Sequence, residues 1–410
     1  MAFQQGLSGL NSSSKALDVI SNNVANSGTV GFKSANAHFS DVYAASLSGA
    51  GASQVGIGTS MSAVVQQFTQ GNITTTNNPL DISINGGGFF RMSQNGAVTF
   101  SRNGQFHLDN AGYVINDKSQ RLTGYPVDNN GNVVPSTPVD LLLSPAPIPP
   151  RATSDPLSGN ITAVVNLDSR QSNPAVSPFN FSNPQTYNFS TGLSVYDTLG
   201  VSHTLTTYYV RASPGVWNVY ATLDGATPTA LPDMTFNSSG ALTSSPTVTI
   251  PTAFTLTTSA VSPWSPGRID YTGSTQYGSE SGVDGLRQGG YTSGSLAGIT
   301  VGNDGVIQGR YSNGQTRALG QVVLANFRAP TGLVNLGGNQ WAESSVSGPP
   351  NVGAPGSGSL GVLNSSTIEE SNVDLTAELV NMITQQRNYQ ASAQSIKTQD
   401  QVLQTLVNLR

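Results

Sequence analysis

The sequence predicts a mainly β protein with long terminal α-helices, organised as discontinuous nested domains. The N- and C-terminal helices are expected to pack against each other in a coiled-coil-like manner, with the β-domains lying between them in the sequence. Three observations carry this. Apolar residues recur at steps of three and four at both ends of the 410-residue chain, and the period falls to two between them. Gly (45) and Pro (23) are abundant while only 10% of residues are charged, against about 25% in ordinary soluble proteins. Such a chain favours short strands and turns whose surfaces are wetted by hydroxyls and amides, and its length suits roughly two to three domains.

The first element is a helix of about six turns with Phe3, Leu7, Leu10, Leu17, Ile20 and Val24 on one face. Ser13 and Ser14 interrupt the stripe, and Lys15 and Asp18 are its only formal charges. A helix so poor in charge is badly suited to stand alone in water. Behind it comes "NNVANSGTVGFK", residues 22–33. Gly28 and Gly31 are expected to permit turn geometry there, and the Asn side chains to satisfy freed backbone groups.

Residues 88–116 alternate strand-like runs with turn signals at Asn95-Gly96, Asn103-Gly104 and Asn110-Ala111-Gly112, which predicts a β-meander. "SPAPIPPRATSDP", residues 144–156, holds five prolines and suits a domain junction. A second all-β unit is expected after it, with Tyr208, Tyr209, Trp217 and Tyr220 as sheet aromatics. Strand-like runs resume past residue 282, and "SGPPNVGAPGSGSLG", residues 347–361, reads as an extended linker. The last element is a helix capped by Asn372 or Asp374, with a stripe of Leu375, Leu379, Met382, Tyr389, Ala393, Ile396, Leu403 and Val407. Neither terminal helix has an obvious partner in its own half of the chain. The two ends are therefore expected to cover their stripes against each other or against further copies.

The chemistry-bearing residues point away from catalysis, metals and cofactors. His38, His107 and His203 are the only histidines, in three segments, and none sits beside another His or an acid at ligand spacing. No G-x-S-x-G occurs. One G-x-G-x-x-G, at Gly356, Gly358 and Gly361, follows a Pro/Gly stretch instead of a strand and reads as linker. Net charge is −5 with four lysines, so no basic stripe exists for nucleic acid or an anionic membrane. There is no cysteine, which excludes disulfides and thiolate chemistry. A basic n-region and apolar h-region are missing, and no run approaches the roughly 18 apolar residues of a span. Passage out of the cell would need a route without a cleaved signal peptide.

Residues 21–41, with Asn22, Asn23, Asn26, Thr29, Gly31, Phe32 and Lys33, resemble the N-terminal signature of the bacterial flagellar axial proteins, the rod and hook family. Residues 371–410, ending in "IKTQDQVLQTLVNLR", are similar to that family's closing segment, nearer the hook subunits than the rod subunits. "LDISINGGGFF" and "FSRNGQFHLDNAGYVI" are similar to its core β-domain.

The resemblance implies a structural subunit that polymerises into the helical tube of the hook, a universal joint between motor and filament, with an export channel lined by the terminal helices. It implies partners: other copies of the chain, the hook cap, distal rod and hook-filament junction proteins, and the type III export apparatus. It also implies an extracellular place in the flagellum. The expected division is 1–24 with 372–410 as inner helices, 25–70 with 359–371 as an extended connection, 71–144 with 284–358 as core β-domain, and 145–283 as inserted outer β-domain. A distal rod subunit is the alternative within the family. Outside it stands a secreted carbohydrate-binding or hydrolytic protein using Trp217, Tyr220 and Trp264 with Asp224 or Asp270.

Overall fold

The periodicity at the two ends becomes two long helices, α1 (Ala2–Ala25) and α2 (Leu375–Asn408). The computed structural model describes residues 2–42, 56–128, 131–250 and 264–408, with side chains from Phe3 to Thr405. Asp374 caps α2: its Oδ1 accepts the Thr376 and Ala377 amides at 2.9 and 3.1 Å. Asn372, the other expected cap, accepts the Ser34 amide and donates to the Gln67 carbonyl instead.

The chain divides into two compact units: Met1–Pro145 with Gly298–Arg310 and Thr316–Arg410, and Ala146–Ala297 with Tyr311–Gln315. In the first, the stretch expected as an extended connection carries an antiparallel hairpin of β1 (Ala35–Val42) and β2 (Gly58–Gln66). Ser12 Oγ lies 2.7 Å from Thr59 Oγ1, and Gln5 Nε2 donates to the Gly56 carbonyl, so polar groups hold the hairpin along α1. The main sheet runs through Thr316–Val322, Arg121–Tyr125, Phe89–Gln94, Ala97–Ser101 and Gln340–Ala342. Strand alternation splits adjacent aromatics between two cores. Phe90 joins Ile82, Met92, Leu122 and Leu324, whereas Phe89 joins Phe100, Phe327 and Trp341.

Two sequence expectations are corrected in this unit. Asn95-Gly96 has both φ positive, 51° and 86°, as a type I′ turn requires. Asn103-Gly104 does not have positive φ; Gly104 is needed because a Cβ there would lie 1.7 Å from the Ile82 carbonyl oxygen. Residues 347–361 are not a linker. Asn351–Gly353 pairs with Leu324–Asn326 and Leu360 is buried in the core, so the Pro/Gly composition encodes tight turns in a packed sheet.

The second unit has a four-stranded meander, Phe189–Tyr196, Ser202–Ser213, Val216–Leu223 and Thr229–Thr235. A second sheet is formed by Thr247–Thr249, Arg268–Asp270, Ile161–Asn166 and Gly282–Arg287. Residues of both sheets share one core around Trp217, Tyr209, Val165 and Tyr271. Trp217 and Trp264 are buried in it, which removes them as a sugar-stacking platform, and Tyr220 stacks on Phe179 at 4.2 Å. His203 departs from the sequence reading. It is buried, with Nδ1 2.6 Å from Asp224 Oδ2 and Nε2 3.6 Å from Asp197 Oδ2.

Candidate assembly surface and the charge cluster joining the chain ends

α1 and α2 meet through small residues. A Cβ on Gly6 would lie 2.9 Å from Ile396 Cγ1, and one on Gly9 would lie 3.0 Å from Ser392 Oγ. Ser13, Ala16 and Asn23, on the same row of α1, are buried. The predicted apolar stripe sits about a quarter turn away, at roughly 100° per residue. Consequently Phe3 and Leu7 stay exposed, while Leu10, Leu17, Ile20 and Val24 are half-buried. On α2, Met382, Ala393 and Ile396 are half-buried, whereas Leu375, Leu379, Tyr389 and Leu403 are exposed; Val407 lies beyond the described side chains. Packing the ends together leaves much of both stripes uncovered within one chain. Val380 and Ile383, outside the predicted stripe, are exposed as well, at 58% and 51%.

The signature segment turns the chain out of α1. Asn26 donates to the Asn22 carbonyl and side chain, and the Thr29 hydroxyl donates to Asn26 Oδ1. Asn23 is buried and works harder: its Oδ1 accepts the Ala35 amide, and its Nδ2 donates to the Ala35 carbonyl and to Glu378 Oε1. Gly31 takes φ +71°, while Gly28 has ordinary φ and open space around it, so the turn demands one glycine of the two. Phe32 is half-buried.

Lys33 ends in a wholly buried charge cluster. Its Nζ donates to Glu369 Oε1 at 2.6 Å and to the Thr69 carbonyl at 2.7 Å. Arg102 donates to Glu369 Oε2 at 3.1 Å and to the Gly86 carbonyl at 2.8 Å. Glu369 Oε1 also accepts the Gly71 amide, and the Glu369 carbonyl accepts the Gly31 amide. One carboxylate thus joins the N-terminal signature, the core β-sheet and the strand leading into α2. Sequence reading singled out Lys33 but missed Glu369 and Arg102, which lie 336 and 69 residues from it; no local pattern links them.

Two cations share that single anion away from water. Burial pushes the Lys33 ammonium below its ordinary 10.5, opposed by the Glu369 carboxylate, and burial likewise lowers Arg102. A lowered folded-state value means that the unfolded chain holds more protons between the two values. The Lys33 contribution therefore rises with pH through that window. The stability difference between the wild type and Lys33→Met should grow in favour of the wild type as pH climbs toward 10.5; urea denaturation across alkaline pH measures it, and a flat or falling difference would contradict it.

Comparison with known proteins bears on the whole chain. Residues 3–33 match a flagella basal body rod protein family, residues 83–154 a flagellar hook protein FlgE/F/G D1 domain, residues 166–291 a flagellar basal body protein FlaE D2 domain, and residues 364–409 a flagellar basal body rod FlgEFG protein C-terminal family. The flagellar hook protein FlgE of Salmonella typhimurium is 41% identical over 420 residues, covering 100% of both chains. The chain belongs to the flagellar hook protein family. Other hook family relatives include flagellar hook protein FlgE of Escherichia coli, 38% identical over the full length of both, and that of Borreliella burgdorferi, 30% identical over 100% of this chain and 99% of its own. The crystal structure of Helicobacter pylori flagellar hook protein FlgE2 shares the fold, with a TM-score of 0.51 at 12% identity over 72% of this chain and 99% of that one. The hook family is one of structural flagellar proteins.

Proposed function

We propose that the chain is the structural subunit of the bacterial flagellar hook, polymerising into a helical tube that bends while passing motor torque to the filament. The observation that carries this is the pair of terminal helices whose apolar rows remain open after they have packed on each other. Such rows are a liability in a monomer, and a head-to-tail contact that does not close into a ring builds a helical fibre.

On this reading residues 1–24 with 372–410 line the export channel, 25–70 with 359–371 connect outward, 71–145 with 298–310 and 316–358 form the middle layer, and 146–297 with 311–315 form the outer one, the expected boundary at 283 moving to 297 because strand Gly282–Arg287 pairs with Ile161–Asn166. Phe3 and Leu7 of α1 with the exposed part of the α2 stripe, Leu375, Leu379, Tyr389 and Leu403, make contacts between copies, and residues 22–33 form the bend between layers. The subunit performs no catalysis. It leaves the cell through the flagellar type III apparatus and meets the cap, distal rod and junction proteins at the ends of the tube.

Removing residues before Asn26 and after Ser371 tests this. In concentrated, high-salt samples viewed by negative-stain electron microscopy, the full chain should form curved tubes and the truncated chain none. Straight tubes would favour the rod reading, and equal assembly by the truncated chain would overturn a helix-driven polymer.

A further inference from the structure

Between α1, β1 and the first turns of α2 lies a groove of 440 Å³. Ala16, Val19, Ile20 and Ala35 give it an apolar floor, and the amides of Asn381 and Gln385 stand beside Glu378. Glu378 is the one formal charge in this lining. Its Oε1 accepts from Asn23, while its Oε2 is buried and has no hydrogen-bond partner. Among the described residues Glu378 has one side-chain donor and no cation beside it, so the groove offers its charge to a cationic donor from outside, met by a turn of the carboxylate that brings Oε2 into the opening.

The donor best matched to an apolar floor ending in a carboxylate and two amides is arginine, whose methylenes lie on apolar surface while its planar fork bonds the oxygens. Among the formal cations of the described helix side chains, Lys15 already bridges Asp18, leaving Arg387 and Lys397. Arg387 is exposed and makes no hydrogen bond or ion pair among the described residues. It follows Glu378 by nine residues on a continuous helix. At about 100° and 1.5 Å per residue, that spacing puts Arg387 on the opposite face and about 13 Å along the axis, out of reach of Glu378 in its own chain. Lys397, nineteen residues on, falls on neither face. Exposed Val380 and Ile383 flank Arg387 and supply apolar contact around it.

We propose that Arg387 of one copy seats in the Glu378 groove of the next, with Val380 and Ile383 packing beside it. The proposal rests on the hook-subunit reading and adds its residue-level contact. Socket and plug on opposite faces of one helix make the contact heterologous, the kind from which a helical polymer is built.

The test is charge reversal in the full-length chain, read as the critical concentration for pelletable polymer, with wild type in parallel. Arg387→Glu alters an exposed side chain and should raise that concentration by at least about tenfold, as loss of a desolvated charge pair does. Glu378→Gln keeps the acceptor for Asn23, and its effect separates lost charge from lost packing; it should also weaken assembly. Glu378→Arg combined with Arg387→Glu should assemble better than either reversal alone. Wild-type assembly by both single variants would overturn the proposal. So would a combined variant, with wild-type helix content by circular dichroism, that assembles no better than Arg387→Glu, or a matching block by Lys397→Glu alone. Failure of the wild type to pellet would remove the hook reading itself, and this contact with it.

Discussion

Glu369→Gln should be among the most destabilising single changes in the first unit, costing about 3–5 kcal/mol, the range for breaking a buried ion pair by removing one partner. Glutamine fits the space but leaves Lys33 and Arg102 buried together without an anion. Lys33→Met should cost less, about 1–3 kcal/mol, because Arg102 and Glu369 remain a neutral pair and what is lost is the Lys33 donor to Glu369 and to the Thr69 carbonyl, which keeps Asn372 as a second donor at 3.3 Å. Amide hydrogen exchange followed by mass spectrometry reads both variants locally, at strand Ile73–Thr75 and its partner Thr367–Glu369. Protection there should fall by about 10²–10⁴ in Glu369→Gln and less in Lys33→Met. The opposite order would show that the cluster is not held by its single carboxylate.

The second large effect is expected at Gly31. With φ at +71° a side chain is strained whatever the room, and a Cβ would also lie 2.5 Å from the Asn103 amide nitrogen and 2.8 Å from the Arg102 carbonyl carbon. Both obstacles are backbone, so relief means moving the loop that carries Arg102. Gly31→Ala should cost about 2–4 kcal/mol, combining left-handed strain with the clash. Gly28→Ala, three residues earlier, meets nothing within 4 Å and should change stability by no more than about 0.5 kcal/mol. Thermal unfolding of the two variants side by side separates the glycine that the bend requires from the one it merely contains; equal losses would contradict the geometry.

The helices were legible because a period of 3.6 survives in Phe3, Leu7, Leu10 and Leu17 whatever the helix packs against. Which face packs was not. Gly6 and Gly9 make the contact with α2 by being small, Ser13 and Ala16 are buried along the same row, and hydropathy gives such residues no weight. Asn95-Gly96 declared its turn through the φ demand of the residues themselves. Asn103-Gly104 carried the same letters for another reason, the nearness of Ile82 in the folded chain. Residues 347–361 misled because proline and glycine look alike in a solvated linker and in tight turns bordering a strand. Lys33 stood out by its place in the signature. Its partner Glu369 is 336 residues away and becomes visible when the strand pairing of Ile73–Thr75 with Thr367–Glu369 brings the ends together.

These features converge on one arrangement: chain ends locked to the core by buried charge, and helical rows left open within the chain. Helical reconstruction by cryo-electron microscopy of tubes grown from the full-length chain tests it most directly. The arrangement predicts α1 and α2 at the channel wall, with Leu375, Leu379, Val380 and Ile383 covered by neighbouring copies and the Lys33–Glu369–Arg102 cluster intact inside each subunit. Tubes held together through residues 145–283 alone, with those helical rows facing solvent, would contradict it.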